Sequence, residues 1–138
     1  MDATLPSWVA KYVGIPYRDE GNTIEGCDCW GLYKLVMHEQ FGFIVPEYTG
    51  RRWAAAVRPR EIGPAAAEYA SKYPKIETGH ERVGDGLLIR ICGYPWHVGI
   101  VVAPGWMLHA HKGADSCVEP YRHWKWADRI VGIYRCEA

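Results

Sequence analysis

Gly26-Cys27-Asp28-Cys29-Trp30-Gly31-Leu32 decides the reading of this chain, because a loop turns into a helix there. Turn formers and charge precede it (Tyr17-Arg18-Asp19-Glu20-Gly21-Asn22). Leu32, Tyr33, Leu35, Val36, Met37 and Phe41 follow it at helical spacing. Asp28 is a good N-cap, since its carboxylate can accept from a free backbone N–H of the first turn. Cys29 falls in that first turn, where the positive end of the helix dipole favours thiolate over thiol. A histidine in reach would make it a nucleophile. Trp96-His97-Val98-Gly99-Ile100 and Leu108-His109-Ala110-His111 supply candidates. The plainer alternative is an inert cysteine in an apolar helix.

Working outward, residues 5–13 read as a short helix with Ser7 as its cap, broken at Gly14-Ile15-Pro16. The Cys29 helix should run to about Gln40 and stop at Gly42. Residues 46–50 read as a turn, the alanine-rich run 53–70 as one or two short helices broken at Pro59, Gly63 and Pro64, and 75–82 as loop. Strand patterns begin after Gly84-Asp85-Gly86, at 87–92, 97–102, 106–111, 116–119 and 130–135, with a turn at Gly93-Tyr94-Pro95. Helices first and an antiparallel meander after them make an α+β pattern. A three-residue turn at 103–105 would set His97 opposite His111 and Gly99 opposite His109, with all three histidines on one face. A two-residue turn would shift the register and separate His97 from the other two.

The 138 residues fit one domain, 1–138, without repeats or linkers. Sixteen basic and sixteen acidic side chains cancel, which argues against broad binding to nucleic acid or an anionic membrane. Seven Trp and nine Tyr against two Phe suit half-exposed grooves or interfaces as well as ordinary packing. The first ten residues lack a basic start and an apolar run, so no secretory signal is expected, and no stretch is long enough to cross a bilayer. Synthesis in a reducing cytoplasm follows as an expectation. Cys27, Cys29, Cys92, Cys117 and Cys136 form no disulfide pattern, and Cys27-Asp28-Cys29 has no second pair to complete a zinc site. No metal and no cofactor are expected, although scattered thiols can still meet in space.

Taken in order, these pieces resemble the NlpC/P60 cysteine peptidases of the papain-like superfamily. The resemblance rests on Gly14-Ile15-Pro16-Tyr17, Gly26-x-Asp28-Cys29-x-Gly31-Leu32, Gly84-Asp85, His97-Val98-Gly99-Ile100, Met107-Leu108-His109-Ala110 and Gly132-Ile133-Tyr134-Arg135. It implies N-terminal helices packed on a C-terminal antiparallel sheet. It also implies Cys29 as nucleophile, His97 as base and His109 as the residue that orients His97. By the same resemblance Asp28 caps the helix and helps hold a substrate amine, and Tyr17 supports the oxyanion. His111 has no counterpart: it either lines the cleft or lies at the surface, with the surface favoured. Many members carry serine after the nucleophile to recognise a free amino terminus. Trp30 stands there, an indole expected at the cleft edge.

The compact form, with Cys-Asp-Cys-Trp-Gly and the Ile-Tyr-Arg ending, resembles the subgroup encoded with tail genes of phages and gene transfer agents. That resemblance implies a peptidase cutting peptidoglycan stem peptides, typically between D-γ-glutamate and the diamino acid. It would be assembled in the cytoplasm with tail-tip or baseplate proteins and act on the cell wall from outside. Three other readings differ in what they need. A structural tail module would need the aromatic surface and not Cys29, an assembly factor would bind iron or zinc through scattered thiols, and an acyl transferase would use the same dyad.

Overall fold

The computed structural model describes residues 4–45, 71–91 and 94–136, with 94–96 as backbone only. The helices expected over 53–70 and the turn at 46–50 lie outside these residues. So does Cys92.

The chain opens with a 3-10 helix, Ser7–Tyr12, in place of the α-helix expected there. Pro6 precedes it and no side chain caps it, so Ser7 is its first residue and not its cap. Gly14, at φ +87, turns the chain away. Ser116 then ties this strap to the far end of the domain. Its backbone exchanges bonds with Gly14 and Ile15, and its hydroxyl accepts from the Ile15 N–H and donates to the Tyr12 carbonyl.

A two-stranded hairpin follows, β1 (Asn22–Thr23) with β2 (Gly26–Cys27). Tyr17 lies beside Cys27 in a parallel bridge. The hairpin leads straight into α1 (Cys29–Phe41), which Asp28 caps by accepting the Gly31 N–H at 2.7 Å. Gly42, left-handed at φ +64, ends the helix with N–H bonds back to His38 and, from Phe43, to Met37. In the first turns Cys29, Trp30, Gly31, Leu32 and Tyr33 are all buried, so the helix enters the protein with no solvent face.

The remaining strands form one antiparallel sheet: β3 (Lys75–Ile76), β4 (Gly86–Ile91), β5 (Tyr94–Ala103), β6 (Trp106–His109), β7 (Cys117–Pro120) and β8 (Ile130–Tyr134). Their order is β3-β8-β4-β5-β6-β7, which bears out the α+β expectation. Two details differ from it. Lys75–Ile76, expected as loop, pairs with β8 as a short edge strand, and a Lys at such an edge is a usual protection. Tyr94, expected in a turn, already pairs with Ile91.

The sheet buries both faces. Leu88, Val98, Ile100 and Leu108 pack toward α1, while Leu87, Ile89, Val101 and Met107 pack toward Tyr121 and Trp126. Trp126 comes from α2 (Trp124–Ala127), a four-residue turn that roofs the second face. Gly84-Asp85 and Arg135 turn out to serve one structural purpose. The Arg135 guanidinium grips the Asp85 carboxylate at 2.8 and 2.9 Å, joining the start of β4 to the end of β8. Among the described residues no helix is long and apolar enough to cross a membrane.

Candidate active site

Cys29 is the first residue of α1 and is only 2% exposed. The Val98 N–H donates toward its sulfur, which ties the helix start to the strand residue next to His97. Burial, and then the neighbouring Asp28 carboxylate, push the Cys29 thiol far above its ordinary range. The resting group is therefore a thiol, not the thiolate that its place on the helix dipole suggested. Desolvation and a neighbouring anion outweigh a partial charge at the helix end. Asp28 accepts the N–H groups of Gly31 and Glu20, and burial pushes its own carboxyl up to about 6, so it is ionised at neutral pH. Cys27 is fully buried, and burial together with Asp28 pushes its thiol up to about 12.

The histidines come together through a register that reconciles both expectations for the β5–β6 turn. The turn has two residues, since Ala103 pairs with Trp106. A bulge between Val101 and Ala103 then restores the facing, so that Val101 opposes Met107 and Ile100 opposes Leu108. Continued along the strands, this places Gly99 opposite His109. A Cβ at Gly99 would lie 3.6 Å from the His109 Cβ.

The buried His97 Nε2 lies 2.8 Å from His109 Nδ1, and His109 Nε2 lies 2.6 Å from Glu119 Oε2. Lys125 Nζ reaches the other Glu119 oxygen at 3.4 Å. Burial alone would raise the Glu119 carboxyl, but the bond from His109 and the Lys125 ammonium hold it below the ordinary range. A carboxylate can only accept, so His109 carries its proton on Nε2 and presents a lone pair at Nδ1. His97 must then donate from Nε2, which leaves the His97 lone pair on Nδ1. The tautomers of both rings thus follow from one carboxylate on β7.

Burial lowers all three histidines below their usual value. For His97 the neighbouring His109 and His111 add to it, while for His109 the Glu119 bond offsets part of it. Of the two places expected for His111, the structure favours the one beside the other histidines over the surface. The His111 ring is half-buried, 5.4 Å from that of His97. Trp126 stacks on His97 at 14° and meets His109 edge-on, sealing the bonded pair from water.

Tyr17 is half-buried, and its hydroxyl is pushed up by burial and by the nearby Cys29 and Asp28, so it remains a donor beside the thiol. Trp30 is corrected. Its indole is 1% exposed and packs edge-on against Tyr33 at 5.9 Å, in the core and not at a cleft edge. Sequence reasoning missed Glu119 and Trp126. The alternation Cys117-Val118-Glu119 hinted that Glu119 shares a face with Cys117, but only the pairing of His109 with Cys117 brings that face to the histidines. His109, Cys117 and Glu119 also offer three donor atoms within 4.8 Å of one another.

The NlpC/P60 family model matches residues 14–135, nearly the whole chain. The chain belongs to the NlpC/P60 family. It is 29% identical over 120 residues to the murein DD-endopeptidase MepS/murein LD-carboxypeptidase of Escherichia coli K12. The match takes in 84% of this chain and 54% of that protein, so the chain spans about half the length of this curated relative. Among solved structures it is similar to an NLP/P60-family protein from Staphylococcus aureus (TM-score 0.66, 20% identity, 92% of this chain and 38% of that one). It is also similar to the NlpC/p60 domain of the peptidoglycan hydrolase SagA (TM-score 0.58, 23% identity, 93% and 95%). These likenesses place the fold among NlpC/P60 structures and agree with the papain-like α+β architecture.

Proposed function

We propose that residues 1–138 form one cysteine peptidase unit that cuts peptidoglycan stem peptides at the D-γ-glutamyl–diamino acid bond. In this reading it works as a component of a phage-like tail tip, assembled in the cytoplasm and acting on the cell wall. The unbroken chain His97–His109–Glu119 carries the catalytic part, because it leaves the base with its lone pair on Nδ1. Cys29 supports it from the neighbouring residue, where its sulfur meets the Val98 N–H. The tail-tip part rests on the Cys-Asp-Cys-Trp-Gly and Ile-Tyr-Arg signatures and on their resemblance to tail-encoded members.

In this mechanism the Cys29 proton passes to His97 Nδ1 as sulfur attacks the amide carbonyl carbon. The developing imidazolium keeps its Nε2–H bond to His109, which Glu119 in turn holds in place. The Cys29 backbone N–H and the Tyr17 hydroxyl meet the oxyanion. The carbon–nitrogen bond then breaks, the His97 Nδ1 proton goes to the leaving amine, and a thioester remains. Water, deprotonated by His97, attacks the thioester and releases a carboxylate and the thiol. Asp28 has a second duty beside its cap, as the anion facing a substrate ammonium.

Digestion of purified peptidoglycan followed by mass spectrometry, with Cys29→Ala as control, tests this. Fragments ending at D-glutamate that vanish in the variant are expected. Products that persist in Cys29→Ala, or none from the folded, reduced protein, would overturn the catalytic reading. The tail-tip role predicts that the chain co-sediments with tail particles from its host, and its absence from them would end that part.

A further inference from the structure

We propose that His109, Cys117 and Glu119 form a binding site for one thiophilic divalent cation of the zinc class, and that its occupancy reverses the histidine tautomers and switches off His97 as a base. The switch rests on the peptidase reading above, whereas the cation site does not.

The site is built on two paired strands. His109 on β6 sits directly opposite Cys117 on β7, and Glu119 follows two residues on, on the same face. The ring nitrogen, the sulfur and the carboxylate oxygen all lie within 4.8 Å of one another. Tetrahedral zinc, with bonds of about 2.0–2.3 Å, needs its ligand atoms roughly 3.3–3.8 Å apart. Cys117 and Glu119 are half-buried, so small rotations bring their atoms to that spacing, while the 2.6 Å His109–Glu119 contact opens to admit the ion. Nitrogen, thiolate and carboxylate together suit zinc rather than magnesium or calcium. Solvent reaches the site at Cys117 and Glu119, which are both partly exposed, while His109 is buried behind them. Lys125 is the cation that faces the site. It holds Oε1 of Glu119 and leaves Oε2 for the metal.

The proton inventory gives the consequence. In the metal-free chain Nε2–H of His109 donates to Glu119 and Nδ1 accepts from His97. A cation on Nε2 takes the lone pair there, so the neutral ring must carry its proton on Nδ1. That proton comes from His97 Nε2 along the 2.8 Å bond, and the former Nε2 proton of His109 leaves to solvent. His97 regains one proton from solvent, on Nδ1. Both rings stay neutral, and the net release is the single proton of the Cys117 thiol. His97 then carries N–H instead of a lone pair at Nδ1, the nitrogen to which the proposed mechanism sends the Cys29 proton, and can no longer accept it.

The reduced, chelator-stripped chain titrated with cobalt(II) tests the site without reference to activity. One ion per chain is expected, with a near-ultraviolet sulfur-to-cobalt charge-transfer band and the intense visible bands of a four-coordinate ion, both bleached by zinc. Cys29→Ala should give the same spectrum, Glu119→Gln should bind more weakly, and Cys117→Ser should lose the charge-transfer band. No band in the wild type, or a band that survives Cys117→Ser, overturns the site. In the stem-peptide assay zinc should stop the wild type and leave Cys117→Ser at its zinc-free rate. Equal inhibition of both would place the ion on Cys29 and His97 instead and refute the switch. A chain with no turnover would remove the switch and leave the cation site standing.

Discussion

Replacing Gly31 by Ala should cost far more than the loss of a glycine usually does, because Gly31 is where the helix start is pressed against the preceding turn. A Cβ there would fall far inside contact distance of the Gly21 carbonyl oxygen and 3.0 Å from Asp28 Oδ1. Gly21 cannot retreat, since its own Cα side lies against the Gly26 carbonyl. The added methyl must push α1 and the turn apart by about 1 Å or more to reach an ordinary carbon–oxygen separation. Two bonds stretch with it, the Asp28 N–H to the Gly21 carbonyl at 3.2 Å and the Glu20 N–H to Asp28 Oδ2 at 3.0 Å. At about 1 kcal/mol each they add to an overpacking cost of roughly 1–3 kcal/mol. The helix propensity of Ala returns about 1 kcal/mol, so the net is about 2–4 kcal/mol.

Urea unfolding reads this directly. With a slope of about 2 kcal/mol per molar, the midpoint should fall by roughly 1–2 M. Gly42→Ala is the control, because Gly42 also ends α1 and is left-handed at φ +64, but a Cβ there meets nothing within 4 Å. It should lose only about 1 kcal/mol, from backbone strain alone. The folded fraction of Gly31→Ala should also lose about 100-fold in turnover, the usual cost of moving a reacting atom by 1 Å. A Gly31→Ala midpoint no lower than that of Gly42→Ala would refute the reasoning.

Glu119→Gln keeps an acceptor for His109 but removes its charge, a difference of about 1–1.5 kcal/mol in bond strength, so kcat should fall roughly 5–15-fold with KM unchanged. A changed KM with constant kcat would assign Glu119 to substrate binding instead. Trp30→Ser removes a core indole, and thermal unfolding should show a loss of about 3–5 kcal/mol. A neutral result would return Trp30 to the surface. Stability should also fall as pH drops below about 6.5, because His97, His109 and His111 have folded pKa values below their unfolded ones. The unfolded chain then binds more protons, at up to about 4 kcal/mol per pH unit for three groups. Asp28, raised to about 6, binds its proton in the folded state and offsets one of them between about pH 6 and 4. Urea midpoints at pH 7, 6 and 5 in the presence of chelator check the slope, and a flat series would mean the histidines are not desolvated.

What was legible in the sequence was local. Asp28 as cap, Cys29 in the first turn and Gly42 at the C-terminus each depend on neighbours within four residues, and each stands where its chemistry predicts. The β5–β6 hairpin was legible only in its outcome. The turn is one residue shorter than an unbulged hairpin with facing histidines requires, and a bulge beside Val102 makes up the count, because Val101 and Met107 are buried on the same side. Glu119 was not legible, since the loop between β6 and β7 does not fix which residue of one strand meets which of the other. Trp126 was hidden in a helix of four residues, too short for any periodicity. The charge state of Cys29 failed for a different reason. Helix position is written in the sequence, but burial and the distance to a neighbouring carboxylate are properties of the folded chain.

That charge state changes what the site must do. A resting thiolate–imidazolium pair would need a charged His97, yet His97 is buried between a second histidine and a stacked indole, which together favour the neutral ring. In the proposed mechanism both partners therefore start uncharged, and charge appears only as the proton moves. A polar chain that is already oriented is most useful under those conditions. The indole roof keeps water from competing for the His97–His109 bond, so the bond is stronger when the imidazolium forms. Glu119, at the end of the chain, faces partial solvent and Lys125, which allows it to stay ionised throughout. The carboxylate sits two hydrogen bonds from the His97 ring. From there it fixes the tautomers without burying an anion beside Cys29, where a second negative charge would raise the thiol further than Asp28 already does.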